Sequence, residues 1–417
     1  IVSGYEARIE WVYYTTVQEA VDATKTNVSD ENRETVTIIK DIQLTEILEI
    51  TIAKNMILDL NGYTLTIVEQ DRVINNNGNL EVTDSSVEHT GRISIFLDRS
   101  GTYSNQIYTA GIYNNGNQKI KITEGIIEAN SKGSYNYPTG IYNVNNGTVE
   151  IRGGKVGSNS DNDNTSYGIY NNNGTVKIEG GIVNSTNADT SYGIYNGSSG
   201  IIEIIEGEVN SNISNSSDNT HSHGISNCGT VKIEGGIVRS SSDGGFSYGI
   251  RNYRSGTIEV IEGTVSSSGK YSDGIENSNG TIEIRRGTVI SSANGGSSYG
   301  IENSNGTIEI RGGTVSSINN SSNSGSSYGI YNYSSGNIEV IGGTVSSNGY
   351  GIINSSGSII IGSKEEKIVS QEEPCIKGEY TKGSSMDRGY GVSNANEDGN
   401  LEFYNGLIQG SERALKG

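Results

Sequence analysis

Residues 167–185 read YGIYNNNGTVKIEGGIVNS, and the spacing of their apolar side chains decides the fold. Three short groups stand out: Ile169 alone, Val176 with Ile178, and Val183, separated by Gly, Asn or Ser. Alternation with period two argues for strands buried on one face, and runs this short with Gly-Gly between them argue for tight corners. No 3.6-residue periodicity lies between the strands, which excludes a βαβ crossover.

Outward from this stretch the phrase repeats. Gly-Ile (once Gly-Val), any residue, then Asn begins eleven times, at Gly111, Gly140, Gly168, Gly193, Gly224, Gly249, Gly274, Gly300, Gly329, Gly351 and Gly391. Successive steps are 29, 28, 25, 31, 25, 25, 26, 29, 22 and 40 residues. A second phrase of the type Gly-Thr-Val-x-Ile-x-Gly-Gly-x-Val follows most of these, as at 174–183 and 306–315. A period in this range marks an array whose units contact their neighbours in the chain. Three strands per unit, each stacked on its counterpart in the next, give an all-β, single-stranded, right-handed parallel β-helix of about thirteen coils. At ~4.8 Å per coil the rod would extend roughly 60 Å.

The repeat chemistry agrees with stacking. Asn114, Asn143, Asn171, Asn196, Asn227, Asn252, Asn277, Asn303, Asn332, Asn354 and Asn394 fall in one column. Side-chain amides carry donors and acceptors, so they bond to each other and cap the turn backbone. The Ile and Val columns form a narrow core of about four to six aliphatics per coil, each contributing ~1.5–3 kcal/mol before the entropy cost.

Composition sets limits. Hydrophobic residues are 32% of the 417, too few for a thick globular core, but their patterning and the presence of only 2 Pro exclude disorder. Net charge is −19, which repels nucleic acid and anionic lipid. No run of 18 apolar residues is present to span a membrane as a helix. Cys228 and Cys375 lie about six repeats apart, roughly 29 Å, too far to bridge each other. A secreted chain without disulfides fits a bacterial surface. Asn-x-Ser/Thr triplets, as at Asn146, Asn173, Asn279 and Asn305, arise by chance in this composition.

The coil phrase with its Asn column resembles the right-handed parallel β-helices of the pectate-lyase-like superfamily. Closer still, GIYN…GTVKIEGG looks like the coils of repeat-rich bacterial cell-surface and adhesin-like proteins built on that fold. The resemblance covers roughly residues 72–410. It implies a fold but not an activity, since the superfamily includes lyases, hydrolases, phage spikes and non-enzymatic adhesins.

Three regions are expected. Residues 1–71 form an N-terminal cap: a short amphipathic helix over 16–23, N-capped by Thr15 or Thr16 with Gln18 or Glu19 three residues on, then strands near 36–39, 50–52, 56–60 and 63–68 with a turn at Asn61-Gly62. Residues 72–362 form the regular array, with 73–84 a degenerate first coil. Residues 363–417 hold an irregular coil and C-terminal coils, with a further domain or anchor beyond.

Candidate chemistry is sparse. The variable segments, at 185–191, 210–222, 240–247 and 316–327, are short and built from Ser, Asn, Gly and Asp, as expected of sequence drift at a permitted corner. His221-Ser222-His223 after Asp218 either holds a metal, with Asp218 or Asp243 as third ligand, or is a polar loop in which His223 replaces the tyrosine of other coils. Lyases of the superfamily use a basic residue with Ca²⁺-holding acids; Arg152, Arg285 and Arg311 sit on a strand, but no acidic trio converges with them by spacing. Asp161-Asn162-Asp163-Asn164 has the alternating acids of a calcium loop without its distal Glu, so no cofactor or metal is expected, with Ca²⁺ at this run as the alternative. Glu259, Glu283, Glu309 and Glu339 stack outward as a solvated acidic stripe or a cation site, with Arg285 and Arg311 placed to offset it diagonally.

Tyr113, Tyr142, Tyr170 and Tyr195 follow the core Ile in consecutive coils and point out; Ser226, Arg251, Glu276 and Glu302 then replace them. These rings form a sugar-binding platform or protein contact, or stack to stabilise the sheet. A second set, Tyr167, Tyr192, Tyr248, Tyr299, Tyr328, Tyr350 and Tyr390, precedes the Gly, where a bend hides its direction and corner packing is the expected role. The expected function is a non-enzymatic, monomeric, extracellular β-helix module of a bacterial surface protein, adhesin or stalk, with a glycan or host protein as partner. The alternatives are a polysaccharide lyase or glycoside hydrolase, and a trimeric phage tail-spike-like protein.

Overall fold

The computed structural model describes residues 4–98, 106–133, 136–161, 165–321, 325–363, 373–379, 389–394 and 400–416. They fall into two compact units, Ile1–Asn210 and Ser211–Gly417. Each is a parallel β-solenoid, about twelve turns in all, and one α-helix occurs among the described residues.

In the first unit the second strands of successive coils, Thr148–Ile151, Thr175–Ile178 and Ile201–Ile204, pair in parallel with Val149 on Val176 on Ile202 and Ile151 on Ile178 on Ile204. All six side chains are fully buried. Residues between them alternate in sign down the column, Glu81, Lys121, Glu150, Lys177 and Glu203, with Glu81 and Glu150 buried among their neighbours. Opposite charges directly across a ladder stabilise it, and Lys121 lies 3.1 Å from Glu81. In the second unit the same position carries Glu259, Glu283, Glu309 and Glu339 in unbroken register. Arg285 bridges Glu259 and Glu283 at 2.8 and 2.9 Å, and Arg311 bridges Glu283 and Glu309 at 3.2 and 2.5 Å. The stripe is therefore an ion-pair lattice for three of its four members.

The Gly-Gly corner before each third strand needs a left-handed residue, and Gly181 supplies it with φ +70°. The third strand then runs around the next corner toward the first strand of the following coil. At Ile237–Asn252 and Thr264–Asn277 the two strands are continuous.

That corner departs from the expectation of drift. Its first and last serines point inward and are buried: Ser185 and Ser191, Ser240 and Ser247, Ser317 and Ser327. They meet hydroxyl to hydroxyl, at 2.8, 2.6 and 2.5 Å. A hydroxyl both donates and accepts, so two facing serines satisfy each other. The segments between these serines vary; the serines themselves recur with the coil.

The N-terminal region packs a helix and a hairpin against the first parallel strands. Helix α1 (Val17–Ala23) starts at Thr16, whose side chain accepts from Glu19 N–H while the Glu19 carboxylate accepts from Thr16 N–H, a capping box. Its buried face, Val17, Ala20 and Val21, lies against Glu34–Ile38 and Leu48–Ile50. At its other end Lys54 Nζ donates to the carbonyls of Asp22 and Thr24 at 2.8 and 2.5 Å. An antiparallel hairpin, Ala7–Ile9 with Val12–Tyr14, precedes the helix and was not legible from period-two patterning in strands this short. Parallel stacking is established by Glu34–Ile38 on Asn55–Asp59 and by Ile42–Leu44 on Thr64–Ile67, well before residue 72.

Candidate functional site

The Asn column lies inside the solenoid. In the first unit it begins one coil before the Gly-Ile phrase: Asn76 donates to Asn114 Oδ1 at 2.9 Å, Asn114 to Asn143 at 2.8 Å, Asn143 to Asn171 at 2.7 Å and Asn171 to Asn196 at 2.8 Å. In the second unit the chain runs through Asn227, Asn252, Asn277, Asn303, Asn332, Asn354 and Asn394 with steps of 2.7–2.9 Å. Each amide from Asn143 to Asn196 and from Asn227 to Asn354 also donates to a turn carbonyl of its own coil, as Asn171 does to Gly174 O at 2.8 Å. From Asn76 to Asn354 these side chains are buried and hold the corners.

The outward tyrosines of the first unit form a wall two rings wide. Gly168 is where strand alternation breaks: an added Cβ there would meet Gly193 O at 2.6 Å and Val183 Cγ1 at 2.8 Å. The bend leaves Ser166, Ile169 and Asn171 buried, and Tyr167, itself buried, lies against the half-exposed Tyr170 at 5.2 Å. Tyr113, Tyr142, Tyr170 and Tyr195 stack with centroids 5.3, 4.7 and 4.7 Å apart and interplanar angles of 7°, 16° and 19°. Beside them Tyr167 and Tyr192 stack at 5.1 Å and present edges to Tyr170 and Tyr195 at 83° and 84°. Tyr108 fills the space between Tyr137, Tyr142 and Tyr170 at 5.3, 4.9 and 5.4 Å. The guanidinium of Arg72, held by Asp71, lies 4.0 Å over the Tyr113 ring. Ring faces are thus largely occupied by other rings, and the wall offers solvent its edges and hydroxyls. Burial, reinforced by Tyr108 and Tyr113, pushes the Tyr142 phenol up to about 12. In the same coils a notch of about 90 Å³ opens over Gly157, lined by Glu128, Asn130, Asn159, Asn184 and Thr186.

The second unit carries a different cluster on the equivalent strip. Down the column before each Gly stand His223, Tyr248, Asp273, Tyr299 and Tyr328, and down the column after each core Ile stand Ser226, Arg251, Glu276, Glu302 and Tyr331. Arg251 pairs with Glu276 at 2.5 Å and lies 4.7 Å over Tyr248. Asp273 is 6% exposed, and the carboxyls of Glu302 and Glu276 act on it. Burial and the neighbouring carboxylates raise Asp273 well above the ordinary range, and burial followed by Glu276 pushes Glu302 up to about 7. Arg251, Glu276 and Glu302 are evident in the sequence as substitutes for tyrosine. Asp273 was missed because its direction depends on the Gly bend.

His221 and His223 are stacking residues here, on Phe246 at 5.1 Å and Tyr248 at 4.9 Å. Burial lowers both imidazoles, which keeps them neutral. Asp218 pairs with Lys270 at 2.8 Å, and Asp243 is exposed. Among the described residues no group of three or more His, Cys, Asp or Glu is placed to hold a metal ion. The calcium-like run from Asp161 to Asn164 falls largely outside the described residues. Cys228 and Cys375 are not joined in a disulfide. No protein-family model matches the chain, and neither does any curated protein or solved structure.

Proposed function

We propose that this chain is a non-enzymatic, extracellular β-solenoid module of a bacterial surface protein, adhesin or stalk, that binds a neutral glycan along the tyrosine wall of its first unit. The observation carrying this reading is the wall itself, with Tyr113, Tyr142, Tyr170 and Tyr195 in unbroken stacking beside Tyr167 and Tyr192. Half-buried phenols combine an apolar body with a hydroxyl edge, the composition that binding surfaces favour. Successive edges recur at the coil spacing of ~4.8 Å, comparable to one pyranose of an extended glycan. The net charge of −19 disfavours polyanionic polymers, so the ligand class is neutral. The coil phrase resembles that of the pectate-lyase-like superfamily, whose members include adhesins of this kind.

The test is binding of the purified chain and of the Tyr142→Ser/Tyr170→Ser/Tyr195→Ser variant to an array of neutral glycans. Loss of binding with retained β-sheet circular dichroism supports the reading. Unchanged binding, or capture of proteins alone, refutes it.

A second reading, a glycoside hydrolase, draws on Glu302, whose carboxyl burial pushes up to about 7, as a general acid requires. A polysaccharide-degradation screen separates the two: release of reducing ends that Glu302→Gln abolishes establishes the hydrolase. Light scattering separates both from a trimeric spike.

A further inference from the structure

We propose that Arg251, Asp273, Glu276 and Glu302 form a proton-operated latch across three successive coils of the second unit, closed when a carboxyl carries a proton and loosened when all three are ionised. The inference stands independently of the glycan-binding reading. Its basis is geometric. Arg251 lies opposite Glu276, and Glu276 lies opposite Glu302, so one guanidinium faces a ladder of two carboxylates. Like charges directly opposite weaken a sheet, and burial magnifies the cost. The third carboxyl, Asp273, stands between Tyr248 and Tyr299 in a column that is aromatic on either side. Glu302 acts on Asp273 in the same buried place, and two neighbouring carboxyls there ionise together only at a cost, so a proton on one partner relieves the pair.

Among the described residues Arg251 is the cation that meets these carboxyls. Along the strand of Arg251 stand Tyr248 and, beyond it, Tyr253, whose ring lies 4.6 Å from the guanidinium. The strand of Asp273 and Glu276 also carries Tyr271 and Lys270, but Lys270 is paired with Asp218. The strand of Glu302 brings Tyr299, the following coil Tyr328 and Tyr331, and the strand of the coil before Arg251 brings His221 and His223, whose rings burial biases toward the neutral form. Arg251 therefore compensates one carboxylate, and protons compensate the others.

The direction follows from the raised carboxyls. A group whose folded value lies above its unfolded one gives stability that is complete below the ordinary carboxylate range, ~4.3 for Glu, and lost as pH rises through the folded value, here about 7 for Glu302. Alkalinity thus loosens Thr264–Asn277 and Ser298–Asn303 locally, as expected in an array of nearest-neighbour units.

Hydrogen–deuterium exchange of the full chain between about pH 5.5 and 8.5, corrected for the intrinsic rate, tests this. The expected result is a loss of protection at residues 271–277 and 298–303 about tenfold greater than at 169–171, the size of one titration unit. In Asp273→Asn the amide donates to Glu302 without a proton, so protection should persist at high pH. Glu302→Gln removes one titrating partner and should shrink the pH effect. Equal pH response in all three proteins, or none in the parent, overturns the latch. If Asp273→Asn does not fold, Asp273→Tyr, which restores the neighbouring column residue, replaces it with the same expectation.

Discussion

The hydroxyls of Ser240 and Ser247 face each other at 2.6 Å inside a corner that is continuous β-strand. Both residues are buried, and the same inward pair recurs at Ser267 with Ser272 and at Ser291 with Ser298. The solenoid therefore has two polar ladders, amide and hydroxyl, and its aliphatic core lies between corners that hydrogen bonding defines. Ser247→Ala orphans Ser240 and should cost ~1–3 kcal/mol; Ser240→Ala with Ser247→Ala should recover much of it, because no buried hydroxyl then lacks its partner. Denaturant unfolding of the three variants gives the coupling energy. Strict additivity would show that the pair does not act as a unit.

The amide ladder predicts a larger penalty. Asn252 donates to Gly256 O at 2.7 Å and to Asn277 Oδ1 at 2.8 Å, and accepts from Asn227 Nδ2 at 2.8 Å. Asn252→Ala leaves three buried groups short of a partner, and a loss of ~2–4 kcal/mol is expected. Asn252→Asp conserves shape but removes both donors and sets a carboxylate oxygen against Asn277 Oδ1, so it should not rescue. Hydrogen exchange should place the damage in the coils of Asn227, Asn252 and Asn277, with residues beyond them retaining their protection.

These two ladders differed in how visible they were beforehand. The Asn column is legible because the Gly-Ile-x-Asn spacing never varies. Asn76 escaped because Val73-Ile74-Asn75-Asn76 lacks the glycine, although Ile74 is paired with Ile112 and Asn76 with Asn114 as in any later coil. The serine columns were present in the sequence as Val-x-Ser and Ser-x-Gly, yet serine is so common in the intervening segments that only register separates a buried hydroxyl from a solvated one. Asp273 and the second tyrosine set were illegible for another reason. Period-two reasoning fails at a glycine bend, and both lie immediately before one. Helix α1 and its capping box were readable because capping is local chemistry, whereas the Ala7–Ile9 hairpin pairs with Glu34–Ile38 across a gap in sequence.

Acid should act on the first unit through Asp84. Its buried carboxylate accepts from the N–H groups of Gly62, Ser86 and Gly91 at 2.7, 3.1 and 2.6 Å. Burial opposes ionisation, but the donors from Ser86, Gly91 and Gly62 prevail and hold the group below its ordinary value. A lowered folded value gives stability that is present above the unfolded value, ~3.9, and is lost as pH falls through the folded one. Asp84→Ala should cost ~2–4 kcal/mol at neutral pH and flatten the decline of melting temperature below about pH 4. An acid limb as steep as the parent's would show that other carboxylates govern it.

The tyrosine wall makes the opposite prediction in alkali. Burial first, then the rings of Tyr108 and Tyr113, push the Tyr142 phenol up to about 12, and burial raises Tyr167 and Tyr170 as well. For an acid with a raised folded value, stability is complete below the unfolded value, ~10 for Tyr, and declines as pH climbs toward the folded one. Ultraviolet titration of tyrosinate should therefore show a late group of phenols, and the late group should ionise together with loss of β-sheet circular dichroism, because a phenolate cannot remain in a stack of rings without cost. Tyr142→Phe keeps the stacking and removes the proton, so it should shrink the late group and shift unfolding to higher pH. Tyr142→Ala removes ring and proton together, opens the space between Tyr113 and Tyr170, and should destabilise by ~3–5 kcal/mol at neutral pH. Phenols of the parent that all titrate as one ordinary group, with the sheet signal unchanged, would mean that the wall is solvated and that its rings are free to leave one another.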